Sequence, residues 1–206
     1  MNGEFWDEKY KDSNYGYGEA PNAFLLSQQE YVEGLGNAFV PGDGEGRNGI
    51  WLASLGLALR SMDLSQIAVD HALEAAAKRD LIIDAWQGDL SEMVWVDGQW
   101  DCIAAIWLHL PEALRKQVHA GLWKSLTPGG IILIEAYRPA HVEYRKEYGS
   151  KGGPPTAIHM FSEEILREDF PEGEFELLED ADVVLDEGTG HYGRSATIQA
   201  RIRKLV

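Results

Sequence analysis

Three glycines in one short turn carry the first chemical signal in the chain. Gly42, Gly44 and Gly46 alternate with Asp43 and Glu45 directly after an apolar run. Glycine suits such a turn because the backbone adopts positive φ and approaches a ligand with no Cβ in the way. A strand, a glycine turn and a helix open a nucleotide-type α/β unit. The third glycine comes one residue earlier than in the dinucleotide fingerprint, which disfavours a pyrophosphate cradle. A glycine-rich surface loop is the alternative.

Two carboxylates follow the next two apolar runs. Asp63 ends a predicted strand over residues 57–62, and Asp89 follows a predicted strand over residues 81–86. Open α/β sheets bind ligands at the carboxyl ends of their strands, where an ionised carboxylate accepts hydrogen bonds well. The alternative for each aspartate is a turn or a helix N-cap.

The elements that would position these groups alternate regularly. Strands are predicted at residues 38–41, 57–62, 81–86, 100–106 and 131–136, with helices between them. This alternation predicts an α/β fold with a parallel sheet covered on both faces. Residues 149–155 predict a mobile loop, and residues 162–168 predict a short helix. Residues 175–185 and 196–203 predict an antiparallel hairpin joined by residues 186–193.

Length and composition restrict the class of protein. The 206 residues predict one domain, 1–206, whose residues 1–30 form an N-terminal lid or helix segment. A net charge of −16 argues against nucleic acid, because affinity for it depends largely on Lys and Arg. No apolar run is long enough to cross a bilayer. The single cysteine excludes an internal disulfide and predicts a cytoplasmic protein. The scattered histidines lack metal-ligand spacing, so no metal is predicted.

Several aromatic residues precede the first strand. Phe5, Trp6 and Phe24 are interpreted as packing anchors. Tyr15 and Tyr17 are flanked by glycines or polar residues, and either a ligand contact or simple packing fits them.

The glycine turn, Asp63, Asp89 and the segment 126–130 before the fifth strand together resemble the class I S-adenosylmethionine (SAM)-dependent methyltransferases. The turn at residues 46–49 and the leader at residues 6–22 are similar to the tellurite-resistance and thiopurine-type small-molecule branch. The resemblance implies a Rossmann-like three-layer sandwich with a seven-stranded, mostly parallel sheet and an antiparallel C-terminal hairpin. It also implies SAM as the methyl donor and S-adenosylhomocysteine (SAH) as the product.

The resemblance assigns roles on the cofactor side. The three glycines would line the methionine part of SAM, Asp63 would bind the ribose hydroxyls, and Asp89 would bind the adenine amine. The family usually carries an acid two residues before the first motif glycine, where this chain has Val40, and Asp43 with Glu45 would supply the negative charge instead. The complete implied set is Tyr15, Gly42, Asp43, Gly44, Glu45, Gly46, Asn48, Asp63, Leu64, Asp89, Leu90, Ala105 and Ile106.

On the acceptor side, the tellurite-resistance branch carries a His and an Arg in the segment that here contains His191 and Arg194. His109, after the fourth strand, is a third candidate, with a capping or partly buried histidine as its alternative. The predicted function is methyl transfer to a small nucleophile such as a thiol or a chalcogen oxyanion, by a monomer or weak homodimer. A non-catalytic SAM-binding module and an NAD-dependent oxidoreductase are the alternatives.

Overall fold

A computed structural model describes residues 3–11 and 16–205, and it contains one seven-stranded sheet with helices on both faces. The strands are β1 Asn37–Pro41, β2 Ala58–Asp63, β3 Asp84–Gln87, β4 Trp100–Ile106, β5 Leu126–Tyr137, β6 Glu174–Glu187 and β7 His191–Arg203. The helices are α1 Gly3–Tyr10, α2 Ala23–Ser27, α3 Gln29–Val32, α4 Arg47–Ser54, α5 Gln66–Ala77, α6 Glu112–Ser125, α7 His141–Tyr148 and α8 Glu163–Asp169. Single 3₁₀ turns cover Leu90–Glu92 and Ala157–His159.

The sheet order is β3-β2-β1-β4-β5-β7-β6. The first five strands pair in parallel, whereas β7 runs antiparallel to both β5 and β6. The predicted α/β class and the antiparallel C-terminal hairpin are therefore confirmed. The order reverses between β1 and β4, which is the topological switch point where such sheets bind ligands.

Side-chain alternation along the central strands builds two cores. Val40 of β1 packs in a cluster with Leu52 of α4 and Ala72 of α5. Phe39, one residue earlier, points to the opposite face and packs in a cluster with Leu122 of α6. The period-2 alternation of a strand places neighbouring residues on opposite faces, so strands buried on both faces read as continuous apolar runs.

Pro41 ends β1 without costing a ladder bond. The N–H of Gly42 donates to Met62 O of β2 at 2.7 Å. Successive strand N–H groups point in opposite directions, so position 41 faces β4. The β1–β4 pairing runs only through Ala38↔Cys102 and Phe39↔Ile103, so no ladder bond with β4 is lost there.

Three predicted boundaries are wrong. β3 begins at Asp84 instead of Leu81, and Ile82 in the preceding segment is 96% exposed. β5 begins at Leu126 instead of Ile131, so residues 127–130 lie within its bounds, where the β4 register shifts. β7 begins at His191, so the loop between the last two strands is only residues 188–190. Long-range pairing extends β5 and β7 beyond their apolar runs, whereas β3 pairs with β2 only from Asp84 onward.

Two further expectations concern membranes and metals. No helix among the described residues has the length and apolarity needed to cross a membrane. Within 3–11 and 16–205, no cluster of three or more His, Cys, Asp or Glu side chains is arranged to hold a metal ion.

Candidate functional site: a crevice between β1 and β4

The crevice begins where β1 and β4 separate. Their pairing ends at Phe39 and Ile103, although β4 continues to Ile106. The backbone of Ala105 and Ile106 pairs with β5 on the other side, and both side chains are buried in the cores. The last residues of β4 therefore offer only their β1-facing backbone groups to a ligand.

The glycine turn forms one wall of this crevice. Gly42, Gly44 and Gly46 have φ values of 68°, 57° and 83°. A Cβ at position 46 would lie 2.7 Å from the Ala72 Cβ, so α5 also requires glycine there. A Cβ at position 44 would lie 2.6 Å from the Tyr10 hydroxyl, which places α1 directly over the turn. The spacing of the glycines is thus fixed by backbone conformation and by close packing on both sides.

Asp63 lies at the end of β2, beside the turn. Its Oδ2 accepts from Gly44 N at 2.9 Å, and its Oδ1 accepts from Ser65 N at 2.9 Å. Burial raises the pKa of the Asp63 carboxyl. A carboxylate oxygen has more than one lone pair, so each oxygen can accept a further hydrogen bond from a diol. The geometry fits the predicted ribose contact, which stays a prediction.

The adenine-side residues are arranged differently. Asp89 Oδ1 accepts from Ser91 N at 2.8 Å and caps a 3₁₀ turn, while its side chain is exposed. Leu90 is buried in the core, and the Leu64 carbonyl accepts from Gln87 Nε2. The N-cap alternative for Asp89 is therefore realised. An N-cap uses only part of the carboxylate, so an additional ligand contact remains compatible with it.

Three other predicted cofactor residues have protein partners in the structure. Asp43 is buried, and its Oδ1 accepts from Gly49 N at 3.3 Å. Burial raises the pKa of Asp43 to about 8, so this carboxyl is a poor source of negative charge at neutral pH. Glu45 contacts His71 Nδ1 at 3.0 Å. Asn48 Oδ1 accepts from Asn22 N at 2.9 Å and thereby fixes the leader.

The leader contributes Tyr17, whereas the predicted Tyr15 lies outside the described residues. The Tyr17 ring lies 6.0 Å from the Tyr10 ring and 4.9 Å from the His191 ring. Gly190 N donates to Gly16 O at 2.7 Å, so the loop between β6 and β7 is hydrogen-bonded to the leader.

Aromatic rings and histidines cluster beyond the carboxyl ends of β4 and β5. Trp107 stacks on Tyr137 with ring centroids 4.5 Å apart. His191 contacts the Trp107 ring at 4.9 Å, and His141 contacts the Tyr137 ring at 4.2 Å. His109 Nε2 accepts from Tyr137 N at 3.1 Å. We call Trp107, His109, Tyr137, His141 and His191 the aromatic cluster.

The histidines of the aromatic cluster are neutral. Burial lowers the pKa of His109 to about 3, with His191 adding to the effect. Burial also lowers the pKa of His141 to about 4. For His191, burial and Arg47 lower the pKa, and the neighbouring Glu187 only partly opposes them. A neutral imidazole keeps one nitrogen able to accept a proton.

Trp107 has φ of 57°, an uncommon value for a bulky residue. Its N–H donates to Glu135 O at 2.8 Å, and its indole Nε1 donates to Glu187 Oε2 at 3.0 Å. These bonds and the Tyr137 stack hold the ring over the end of β5. Strained conformations of this kind concentrate at functional sites, where the surroundings over-determine them.

A carboxylate at the end of β6 joins the two sides of the crevice. Glu187 accepts from Arg47 Nη2 at 2.7 Å and from Asn22 Nδ2 at 2.8 Å. Asn22 Nδ2 also donates to Glu135 Oε2 at 2.6 Å. Burial acts to raise the pKa of Glu187, but His191, Arg47 and Trp107 outweigh it and lower that pKa to about 2. Glu187 is therefore ionised and paired.

Arg194 lies away from the aromatic cluster. Its guanidinium lies 5.1 Å from the Tyr148 ring and 3.8 Å from Asp182 Oδ2, and its side chain is 51% exposed. Residues three apart on a strand face opposite sides, so His191 and Arg194 diverge. The structure does not bring His191 and Arg194 together, and their shared role at one acceptor stays a prediction.

Sequence reasoning missed the residues that assemble the aromatic cluster and its ion pair. Trp107 and Tyr137 each stand one position after a predicted apolar strand, where ligand-contacting side chains are expected. That position is a usable signal. The partners of Glu187 lie 140 residues away at Arg47 and 80 residues away at Trp107, and no local pattern indicates those pairs.

The chain was compared with known proteins. A family model described as "Methyltransferase domain" matches residues 41–130, from the glycine turn to β5. The thiopurine S-methyltransferase of Acinetobacter baylyi is 26% identical over 95% of this chain and 96% of its own. That of Pseudomonas putida is 27% identical over 100% of this chain and 96% of its own.

Two solved structures share the fold at low identity. One, described for the conversion of a disulfide bond into a thioacetal group during echinomycin biosynthesis, has a TM-score of 0.79 at 18% identity, covering 98% of this chain and 92% of that one. The other, the N-methyltransferase NodS of Bradyrhizobium japonicum with SAH, has a TM-score of 0.72 at 16% identity, covering 99% of each. Together, the family model, the full-length relatives and the sheet order support a class I SAM-dependent methyltransferase.

Proposed function

We propose that this enzyme methylates a small-molecule thiol. The observation that carries the proposal is the aromatic cluster, a wall of rings and neutral histidines beyond β4 and β5. Three segments enclose it: the leader through Tyr17, the residues 149–155, and the end of the β6–β7 hairpin. Aromatic rings combined with a small number of placed polar groups are a lining that suits a small ligand. The net charge of −16 disfavours nucleic acid as the acceptor.

Among the described residues, the cations near the aromatic cluster are already engaged, which favours a thiol over a chalcogen oxyanion. Arg145, which lowers the pKa of His141, donates to the carbonyl oxygens of Gly152 and Pro155. Among the described residues around the aromatic cluster, the guanidinium of Arg47 is already paired with Glu187 at 2.7 Å. Arg194, which was predicted to stabilise the acceptor's charge, lies outside against α7. An anion enters a buried site at low cost only where a cation meets it. The names of the two full-length relatives, thiopurine S-methyltransferases, support the same class.

The residues that line the crevice between β1 and β4 would bind the cofactor. SAM would supply an electrophilic methyl group on a sulfonium. The glycine turn, Asp63 and the free backbone edge at Ala105 and Ile106 would hold it, with Asp89 at the adenine end. Tyr10 and Tyr17 would cover the site and exclude water, which strengthens the electrostatic contacts inside.

The transfer needs little from the protein beyond alignment. The acceptor sulfur forms the new S–C bond, the methyl carbon's bond to the sulfonium breaks, and that electron pair stays on the departing thioether. The thiol proton passes to the neutral His191 imidazole. His109 acts as a positioning residue, because its Nε2 accepts from the Tyr137 backbone. Alignment of the two reacting atoms is the larger contribution.

The remaining assignments belong to the same proposal. The chain acts as a single domain with residues 1–30 as a cover, located in the cytoplasm, as a monomer or weak homodimer. An oligomeric state measured by light scattering tests the last point.

SAH release measured over a panel of acceptors tests the function. The panel contains thiophenol, 2-mercaptoethanol, 6-mercaptopurine, selenite and tellurite. Calorimetric titrations of the protein with SAM and with NAD measure which cofactor binds. We expect SAM binding, no NAD binding, and turnover with at least one thiol. Turnover on oxyanions alone contradicts the thiol assignment. SAM binding without turnover on any acceptor favours a non-catalytic SAM-binding module.

A further inference from the structure

Tyr137 carries a buried hydroxyl that the fold itself does not use. Its side chain is 0% exposed at the end of β5, and within residues 3–11 and 16–205 its Oη has no hydrogen-bond partner. Leaving a buried polar group unpaired is costly, and native proteins do so rarely. Phenylalanine would stack on Trp107 equally well, so packing does not explain the hydroxyl.

The surroundings of this hydroxyl belong to the acceptor side of the crevice. His191, whose Nδ1 lies 3.7 Å from Glu187 Oε2, has its ring centroid 5.7 Å from that of Tyr137. A Cβ at Gly152 would collide with Tyr137 Oη and would lie 3.0 Å from His191 Cδ2. The unpartnered Tyr137 hydroxyl and the His191 ring thus lie under one glycine of the loop that covers them.

Lifting the loop requires a few hydrogen bonds to break: Lys151 and Tyr192 exchange two backbone hydrogen bonds, and Arg145 Nη2 donates to Pro155 O at 2.9 Å. Gly149, Gly152 and Gly153 all have positive φ, and a Cβ at position 153 would lie 2.7 Å from the Tyr137 ring. Because glycine has no side chain, the loop backbone lies close to the Tyr137 ring at these positions without a side chain packed against it.

We propose that the Tyr137 hydroxyl donates a hydrogen bond to the nucleophilic sulfur of the acceptor once the loop lifts. This inference rests on the proposed thiol methylation. The hydroxyl stays protonated, because burial and then Glu187 and Glu135 raise the pKa of Tyr137. The other titratable and charged groups that face it are Arg47, Tyr17, His109, His141 and His191. A donor at the sulfur favours the thiolate and fixes its line of attack.

Tyr137→Phe tests the inference, with Tyr144→Phe as the matched control. Tyr144 lies on α7, and its hydroxyl donates to Asp182 Oδ2 at 2.6 Å. With 2-mercaptoethanol as the acceptor, we expect Tyr137→Phe to lower kcat/KM about ten- to a hundredfold, the range for a hydrogen bond to a charged group. The kcat profile should shift to higher pH, because the bound thiol ionises less readily. SAM affinity should stay within about twofold, and the melting temperature should not fall.

The results separate this inference from the proposed function. Unchanged kinetics in Tyr137→Phe, as for a hydroxyl that binds only water, overturns the inference while the enzyme remains a thiol methyltransferase. Marked thermal destabilisation also overturns it, because the hydroxyl would then have an internal partner. A wild-type enzyme that methylates no thiol overturns the proposed function, and the melting temperatures still decide whether the hydroxyl is free.

Discussion

The guanidinium of Arg47 and the carboxylate of Glu187 form a buried ion pair, with Nη2 and Oε2 2.7 Å apart. Arg47 begins the helix that follows the glycine turn, and Glu187 ends β6. The pair therefore fastens the C-terminal hairpin to the cofactor side of the crevice. Trp107 Nε1 and Asn22 Nδ2 donate to the same carboxylate, so one side chain connects four segments of the chain.

Removing this carboxylate should destabilise the protein. Glu187→Ala leaves Arg47 buried and unpaired, and we expect a loss of about 3–5 kcal/mol in the free energy of unfolding. Asp186→Ala, at an exposed neighbouring position, is the control and should change it by less than about 0.5 kcal/mol. Urea denaturation measures both. Equal free energies of unfolding for Glu187→Ala and Asp186→Ala would show that the Arg47–Glu187 ion pair does not stabilise the protein.

Asp63 should matter for the cofactor. Asp63→Ala is expected to weaken SAM binding by about 1.5–3 kcal/mol, the range for hydrogen bonds to a charged group. Asp84→Ala removes a carboxylate from the amino end of β3, where Asp84 pairs with Arg60 at 2.6 Å, and should leave SAM affinity unchanged. Calorimetry on variants shown to be folded by circular dichroism measures the effect. A folded Asp63→Ala protein with wild-type affinity would rule out the ribose assignment.

His191 and Arg194 should respond differently to truncation. His191→Ala removes a neutral base and a ring of the aromatic cluster, so we expect kcat with a thiol to fall about a hundredfold or more, as for general-base catalysis. Arg194 lies on β7 with its side chain against α7, away from the aromatic cluster. Arg194→Ala should therefore change kcat by less than about threefold, since surface contacts of this kind are weak. Steady-state kinetics with saturating SAM compares them. A large loss in Arg194→Ala alone would reverse the assignment.

Asp43 should make stability depend on pH. Its pKa of about 8 in the folded protein lies above the usual value near 4, so the folded state binds this proton more tightly than the unfolded state. The stabilising contribution is present below pH 4 and is lost as pH rises from about 4 to about 8. Asp43→Asn keeps the shape and removes this titration. We expect it to be about 1–3 kcal/mol more stable than the wild type at pH 8.5. Thermal denaturation at pH 5 and pH 8.5 measures it, with the exposed Asp89→Asn as the control. A variant less stable at pH 8.5 than the wild type would mean that the ionised carboxylate stabilises the turn.

The local sequence was sufficient for the succession of parallel strands and helices, although not for where β3 and β5 begin. The alternation of apolar runs with helices, the glycine turn and Asp63 all follow from short-range rules of backbone conformation and strand ends. The helix Arg47–Ser54 and the strand Trp100–Ile106 begin or end within one or two residues of the predicted positions. The start of β7 could not be predicted from the local sequence, because Tyr192 and Arg194 belong to the strand only through their pairing with β6.

The arrangement of side chains beyond the ends of β4 and β5 was decided by tertiary structure. Glu187, Arg47 and Trp107 meet because the β6–β7 hairpin turns back over the carboxyl ends of β1 and β4, and no spacing in the sequence encodes that contact. The same holds for Arg194, which a family pattern associates with His191 but which the two-residue period of β7 turns to the opposite face. Side-chain direction within a strand depends on where the strand begins, and here long-range hydrogen bonding sets that start. The sequence determined which residues stand at the ends of the parallel strands, and packing determined which of them face one another.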